Sequence, residues 1–168
     1  MSEMSEAILD VAEARMRSAG FDGVSFRDIA AEIGVKSASI HYHFPTKAML
    51  GAAVARRYRE RFLERVEAEV SAGSNVVQAW SAGFRRALRQ DGKMCLCGAL
   101  GVTASGLPLE VGDEARKFFQ AGLDRLAAGG LSAERSATVL ATLEGAMLLA
   151  TALRDPAIFD AATRGLTA

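Results

Sequence analysis

Residues 25–47 read SFRDIAAEIGVKSASIHYHFPTK, and this stretch sets the architecture of the whole chain. Phe26, Ile29, Ala30 and Ile33 fall at i, i+3, i+4 and i+7, the spacing that lays apolar side chains on one helical face. Ser25 stands at an expected N-cap, with Asp28 three residues on in a capping-box pattern. Gly34 stands where a left-handed residue ends a helix. A further short helix is expected over 37–43, with Ile40 and Phe44 on its buried side. Pro45 stops it, because the residue before a proline avoids the helical region. Two short helices joined through a glycine turn, with another helix before them, predict a helix-turn-helix unit. The last of these spends only Ile40 and Phe44 on the core. Tyr42 lies opposite them, Ala38 and Ser39 sit near that outward side, and His41 and His43 lie on the flanks. Such a face is short in acids and suited to base edges and phosphates in a major groove.

Outward from this stretch the chain reads as helices with short connections. Upstream, Ile8, Ala12, Met16 and Ala19 recur at intervals of four, four and three, and Gly20-Phe21-Asp22-Gly23 closes that helix. Downstream, Thr46 is placed to cap a long helix in which Leu50, Val54, Tyr58, Phe62 and Val66 repeat every four residues. A fifth helix is expected from about Asn75 to Gln90, carrying Val77, Trp80, Phe84 and Leu88. The small residues of 93–106 predict a shorter, interrupted helix. Pro108 opens a seventh helix, Ser132 caps an eighth ending near Arg154, and Asp155-Pro156 starts a short ninth. No strand of weight, repeat or low-complexity linker is expected. The fold class is therefore all-α.

Composition bounds the rest. The 168 residues are one domain's worth of protein by length, and half are hydrophobic, which excludes a disordered chain. The 20 Lys plus Arg balance 20 Asp plus Glu, so bulk charge does not make this a coat for nucleic acid or acidic membrane. The neutral total hides a local imbalance: residues 26–65 carry a net +4 against −3 for residues 1–25 and −1 for residues 66–168. No apolar run approaches the ~18–20 residues of a membrane span. Three acids and no base in residues 1–10 are the wrong charge for a secretory leader, and two cysteines are too few for a disulfide framework. A cytoplasmic protein is expected, with no membrane partner.

Residues 7–50 resemble the DNA-binding domain of the tetracycline-repressor (TetR) family of bacterial transcriptional regulators. The resemblance rests on Ala12, Gly20-Phe21, Ser25, Arg27-Asp28-Ile29-Ala30, Gly34-Val35, the run Ser39 to Lys47, and Leu50. It implies an N-terminal three-helix DNA reader at residues 1–46 and a helical ligand-binding and dimerisation domain at residues 47–168. It further implies a homodimer on a palindromic double-stranded operator, acting as a repressor that a small-molecule inducer releases. By this resemblance Ser25 and Lys47 hold the DNA backbone, while Arg27, Lys36, Ser37, Ser39, His41, Tyr42 and His43 are contact residues of the second and third helices. One departure stands out. His41 occupies the place where the family most often has a phosphate-touching tyrosine, and Tyr42 beside it is placed to take that role.

Other features carry weaker signals. Arg56 and Arg57 extend the basic segment nearest the DNA end, while Arg59, Arg61 and Arg65 balance Glu60, Glu64, Glu67 and Glu69. Trp80, Phe84, Cys95, Leu100, Phe118, Glu144 and Met147 are candidates to line an inducer pocket, each alone also readable as plain core. Val139, Leu143, Met147 and Ala150 on the eighth helix, with Ile158 and Phe159 on the ninth, are the expected dimer interface in an intermolecular four-helix bundle. Cys95 and Cys97, two apart on a helix, point about 200° apart and cannot share a metal. They leave open a regulator that senses electrophiles through one thiol, beside the alternative of a helical interaction module that binds no DNA. No nucleophile–base pair, phosphate-cradling glycine loop or metal-ligand cluster appears, so neither catalysis nor a cofactor is expected.

Overall fold

The computed structural model describes residues 2–166. Among them run nine α-helices: α1 Glu3–Ala19, α2 Phe26–Ile33, α3 Ser37–His43, α4 Lys47–Ser71, α5 Val76–Asp91, α6 Leu96–Gly101, α7 Leu109–Ala128, α8 Ala133–Leu153 and α9 Pro156–Thr163. Short 3-10 turns occupy Phe21–Gly23, Ala104–Gly106 and Arg164–Leu166. Each helix predicted from periodicity is present, and the small-residue stretch is indeed interrupted, with α6 giving way to a 3-10 turn.

Local chemistry explains most of the boundaries. The Met49 backbone N–H donates to Thr46 Oγ1 at 3.1 Å, so Thr46 starts α4 as expected. Ser132 caps α8 through the Arg135 N–H at 3.2 Å, and Asp155 caps α9 ahead of Pro156. Asn75 and Gln78 form a reciprocal capping box at the head of α5. Gly34 ends α2 at φ 74°, a left-handed conformation that costs glycine little. Ser25 departs from its expected role. It has the extended backbone of an N-cap, but its hydroxyl makes no capping hydrogen bond, so the capping box with Asp28 does not form.

The chain divides into two compact units. The first takes the chain up to Arg59 together with Leu96–Arg116; the second takes Glu60–Cys95 and everything from Lys117 onward. The expected reader, residues 1–46, lies wholly in the first unit, but the division falls after Arg59 inside α4 and not at residue 46. Because α4 packs Leu50 and Val54 into the same core as α1, its first half belongs with the reader.

That first core contains Ile8, Leu9, Ala12, Met16, Phe21, Val24, Ile29, Ile40, Leu50 and Val54, all buried. Burial of this kind stabilises by about 25 cal/mol per Å² of apolar surface removed from water. Gly51 lets α4 come close: a Cβ there would stand 2.7 Å from Phe21 Cε2 and 3.0 Å from Val111 Cγ2. In the second unit Phe62, Trp80, Phe84 and Phe118 form one aromatic cluster. The Phe62 ring centroid lies 5.2 Å from those of Trp80 and Phe118 and 5.4 Å from that of Phe84.

The expectation about membrane spans needs correction. By length and composition alone, α8 is apolar enough to cross a membrane. Counting uninterrupted apolar residues missed it, because a helix of mean apolar character tolerates isolated Ser136, Thr138, Thr142, Glu144 and Thr151. In this fold α8 packs on α5 and α9 and buries Val139, Leu140, Leu143, Ala146, Met147 and Ala150.

Candidate nucleic-acid interface

The candidate interface is α3 and the residues that seat it. Ile40 is its one fully buried anchor, with Phe44 closing the C-terminal end. Tyr42 is 84% exposed, and Lys36, Ala38 and His41 are exposed beside it. Ser37 and Ser39 are half-buried along the same short helix. On α2, the Arg27 side chain is 89% exposed and reaches only to 3.7 Å from Asp28. A helix that presents a phenol, hydroxyls and an imidazole on its free side, flanked by Lys36 and Arg27, has the donors that phosphates and base edges accept.

The nine candidate contact residues do not behave alike. Arg27, Lys36, His41 and Tyr42 point into open space, and the uncapped Ser25 hydroxyl stands at the head of α2. His41 is steadied from below: its ring stands edge-on to Phe26, centroids 4.6 Å apart, and its Nδ1 lies 3.4 Å from the Pro45 carbonyl. His43 is committed elsewhere. Its Nδ1 shares a 3.1 Å hydrogen bond with Ser5 Oγ, tying the end of α3 to α1. Lys47 is also engaged, with its ammonium 4.6 Å above the Phe21 ring, 3.4 Å from the Asp22 carbonyl and 3.9 Å from the Asp22 carboxylate. Both residues therefore hold the reader's shape in this state.

Behind the reader, α4 is clamped by charge. Arg57 is buried, and its guanidinium reaches Glu6 at 2.8 Å, Asp10 at 2.8 Å and Glu13 at 3.2 Å. Burial, the largest single influence on it, works against the charge. The three carboxylates outweigh burial and hold Arg57 above its ordinary pKa. Arg56 and Arg59 both reach the buried Glu114 carboxylate, at 3.6 and 3.1 Å. The expectation that Arg56 and Arg57 extend the basic face is thus corrected. Arg57 is inside the unit, and only Arg56 keeps an exposed side chain.

Sequence reading missed the partners Ser5, Asp22, Glu6, Asp10 and Glu13. A signal was present for the last group: Glu6, Asp10 and Glu13 fall at i, i+4 and i+7, an acidic stripe along α1.

In the second unit Trp80, Phe84, Cys95, Phe118 and Met147 are fully buried, whereas Leu100, also fully buried, belongs to the first unit. Cys97 is equally buried, and both cysteines are free thiols. The Cys95 backbone N–H points at Met147 Sδ, 3.0 Å away. Both Glu144 carboxyl oxygens are buried, with the Cys95 thiol as their polar neighbour and no cation paired to them. Burial, then the neighbouring Cys95 thiol, push this carboxyl well above its ordinary pKa. Val139, Leu143, Met147, Ala150 and Phe159, expected to face a second copy, are instead buried inside the single chain. A side chain with no exposed surface has none left to bury against a partner. The large apolar side chains α8 does expose are Leu148, Leu149 and Leu153, with Ile158 half-exposed on α9.

Comparison with known proteins agrees with this geometry. The sequence profile of the bacterial regulatory proteins, tetR family, matches residues 8–54, which spans α2, α3 and the start of α4. No match was found among curated proteins. The solved structure of a TetR transcriptional regulator from Legionella pneumophila is 30% identical, with 99% of this chain and 96% of that one covered at a TM-score of 0.86. A TetR-family transcriptional regulator from Agrobacterium tumefaciens is 27% identical over 97% and 95% of the two chains, with a TM-score of 0.87. The regulatory protein TetR from Rhodobacter sphaeroides shares the fold at 18% identity and a TM-score of 0.87, over 99% and 98%. With similarity running the length of both chains and the helix-turn-helix at its N-terminal end, the chain belongs to the TetR family of bacterial transcriptional regulators.

Proposed function

We propose that the protein is a cytoplasmic transcriptional repressor that occupies a palindromic operator as a homodimer and leaves it when a small molecule binds. The observation that carries this reading is the exposed face of α3, where Tyr42 stands out beside Ser39 and His41 while Ile40 is buried on the opposite side. Tyr42, Ser39, His41 and Ser37, with Lys36, Arg27 and Ser25, are the operator contacts in this reading. His43 and Lys47 position the reader.

Pairing uses the apolar face that α8 leaves uncovered, Leu148, Leu149 and Leu153, with Ile158 of α9. Two copies so joined present two α3 helices to successive half-sites. The inducer acts in the second unit, and the continuous α4 carries its effect toward the reader. A ligand shifts an equilibrium only by its differential affinity for the two states, so the inducer fits the operator-free state better.

A gel shift with the DNA flanking the protein's own gene tests the reading. Specific retardation, abolished by competitor operator and reversed by a ligand that raises thermal stability, is the expected result. An absence of sequence-specific binding would overturn it. For the pairing face, Leu149→Glu should yield monomers in sedimentation, and a retained dimer would place the interface elsewhere. Electrophile sensing through Cys95 is not favoured, because the thiol is fully buried, against the Glu144 carboxyl.

A further inference from the structure

Hydroxyls on a helix can bond back to the carbonyl a turn earlier. Thr138, Thr142 and Thr163 do so, at 2.8, 2.7 and 2.8 Å. Two hydroxyls on α8 do not. Ser136 Oγ and Thr151 Oγ1 are buried without a partner, and between them both oxygens of Glu144 are in the same condition. Ser136, Leu140, Glu144, Met147 and Thr151 follow one another at spacings of four, four, three and four, so they form a single stripe along the helix. Three unsatisfied polar groups on one buried stripe depart from the rule that buried polar atoms are paired.

The surroundings of the stripe are apolar and aromatic. Leu140, Leu143 and Met147 are buried beside Glu144, and the Cys95 thiol lies against its carboxyl. One turn along, Leu140 and the Trp80 ring both approach Gly122, where a Cβ would stand 3.2 Å from Leu140 Cδ2 and 2.9 Å from Trp80 Cη2. The Trp80 indole Nε1 is itself buried and unpaired. Glu144 as a whole is only half-buried although its oxygens are fully covered, so the carboxyl lies one side chain below the surface.

We propose that this stripe of α8 is a binding site for an apolar organic cation, with Glu144 receiving a protonated amine while Trp80, Leu140 and Met147 hold the hydrocarbon body. A buried carboxyl that meets a thiol and no cation stays neutral, because an unpaired charge is costly there. Of the available ligand chemistries, a cation alone repays ionising it; a neutral donor repays less and an anion is repelled. The aromatic wall adds the attraction of a ring face for positive charge. Thr151 and Ser136 offer further hydroxyls along the same line. This proposal rests on the reading of the protein as a ligand-released regulator and names the class of ligand.

The test uses the intact protein and phenylalkylammonium ions of increasing chain length, each compared with the alcohol and the carboxylate of the same length, by calorimetry and thermal shift. The best-fitting ammonium should bind roughly tenfold more tightly than its alcohol, the factor that one charge-assisted hydrogen bond supplies. Glu144→Gln keeps the shape of the protonated acid, so it should fold and bind the alcohols as before while losing the preference for ammonium. Equal binding of ammonium and alcohol, a preference that survives Glu144→Gln, or no binding by any member overturns the proposal. The same compounds are run in the gel shift. Release by the alcohols or carboxylates alone would keep the ligand-released reading and sink the cation site. Cation-selective binding with no change in operator affinity would keep the site and sink the inducer.

Discussion

The two units differ in how they treat a buried ionisable group. In the first, the buried Arg57 meets Glu6, Asp10 and Glu13, the buried Glu114 meets Arg56 and Arg59, and His43 meets Ser5. In the second, the Glu144 carboxyl is buried against the Cys95 thiol with no cation paired to it. Paired charges fix a geometry, because either partner left alone in low dielectric is expensive. Unpaired ones leave the interior unfinished. A reader must hold α3 at one angle to its operator, whereas a sensor gains from groups satisfied only when something else arrives. The contrast assigns rigidity to one unit and responsiveness to the other.

The largest effect that would break this contrast lies at Arg57. Replacing it with Met removes a cation that three carboxylates of α1 share. Breaking a fully buried pair costs about 3–5 kcal/mol, and the partly exposed Glu6 and Asp10 put this case at the low end, about 3 kcal/mol. Denaturant unfolding measures it. A loss under about 1 kcal/mol would mean that the network is ornamental and that apolar packing alone holds α4 to α1.

Glu144 is the counterpart in the second unit, and pH separates the two. Its folded pKa lies above the ordinary 4.5, so the fold keeps a proton that the unfolded chain releases. The stability tied to that proton is fully present below the unfolded value and is lost as pH rises through the folded one. Across that window the wild type should lose up to about 1.4 kcal/mol per pH unit from this group. Glu144→Gln should remove that slope and be the more stable protein at the alkaline end. Parallel curves for the two proteins would show that the carboxyl is solvated after all.

How legible this was in the sequence follows from the range of each interaction. The helices were readable because periodicity and caps act within a few residues: Thr46, Ser132, Gly34 and Asp155-Pro156 sit where the chain turns. The exposed face of α3 was readable for the same reason, since seven residues with one buried anchor leave little else for the side chains to do. Pairings between distant residues leave no local trace. Arg57 with Glu6, and His43 with Ser5, join residues 51 and 38 apart, so both basic groups looked free for DNA. The dimer face read from periodicity fell on side chains buried within the chain for a related reason. On a helix apolar nearly all round, periodicity picks out the most buried stripe, and in this fold that stripe faces the chain's own core.

Tyr42 sharpens the contrast from the side of the operator. It touches only the edge of the His43 ring, centroids 5.2 Å apart, and is otherwise open. Tyr42→Ala should therefore leave unfolding unchanged within about 0.5 kcal/mol, as surface substitutions do. It should weaken operator binding by roughly tenfold, the cost of one good contact. Its hydroxyl is an uncharged donor to phosphate, so the affinity lost should be nearly the same at low and high salt. A stability loss comparable to the affinity loss would make Tyr42 part of the scaffold instead.

Lys47 gives the smallest and most discriminating effect. As a phosphate contact alone, its removal would lower the log–log salt slope by about one and leave stability untouched. The geometry describes a different residue, with its ammonium over the Phe21 ring and against both oxygen types of Asp22. A partly exposed cation–π contact stabilises by about 0.5–1 kcal/mol, and the 3.9 Å ion pair adds little. Lys47→Ala should accordingly lose about 0.5–1 kcal/mol of stability. Lys47→Met keeps the stem over Phe21 and should recover part of that loss, while restoring no charge. If the ammonium swings out to phosphate on binding, both variants lose the same unit of salt slope. If it stays on Phe21, the slope is unchanged in both. The pair of variants thus reads whether the reader's turn is as fixed on DNA as it is free, which is what its paired charges require.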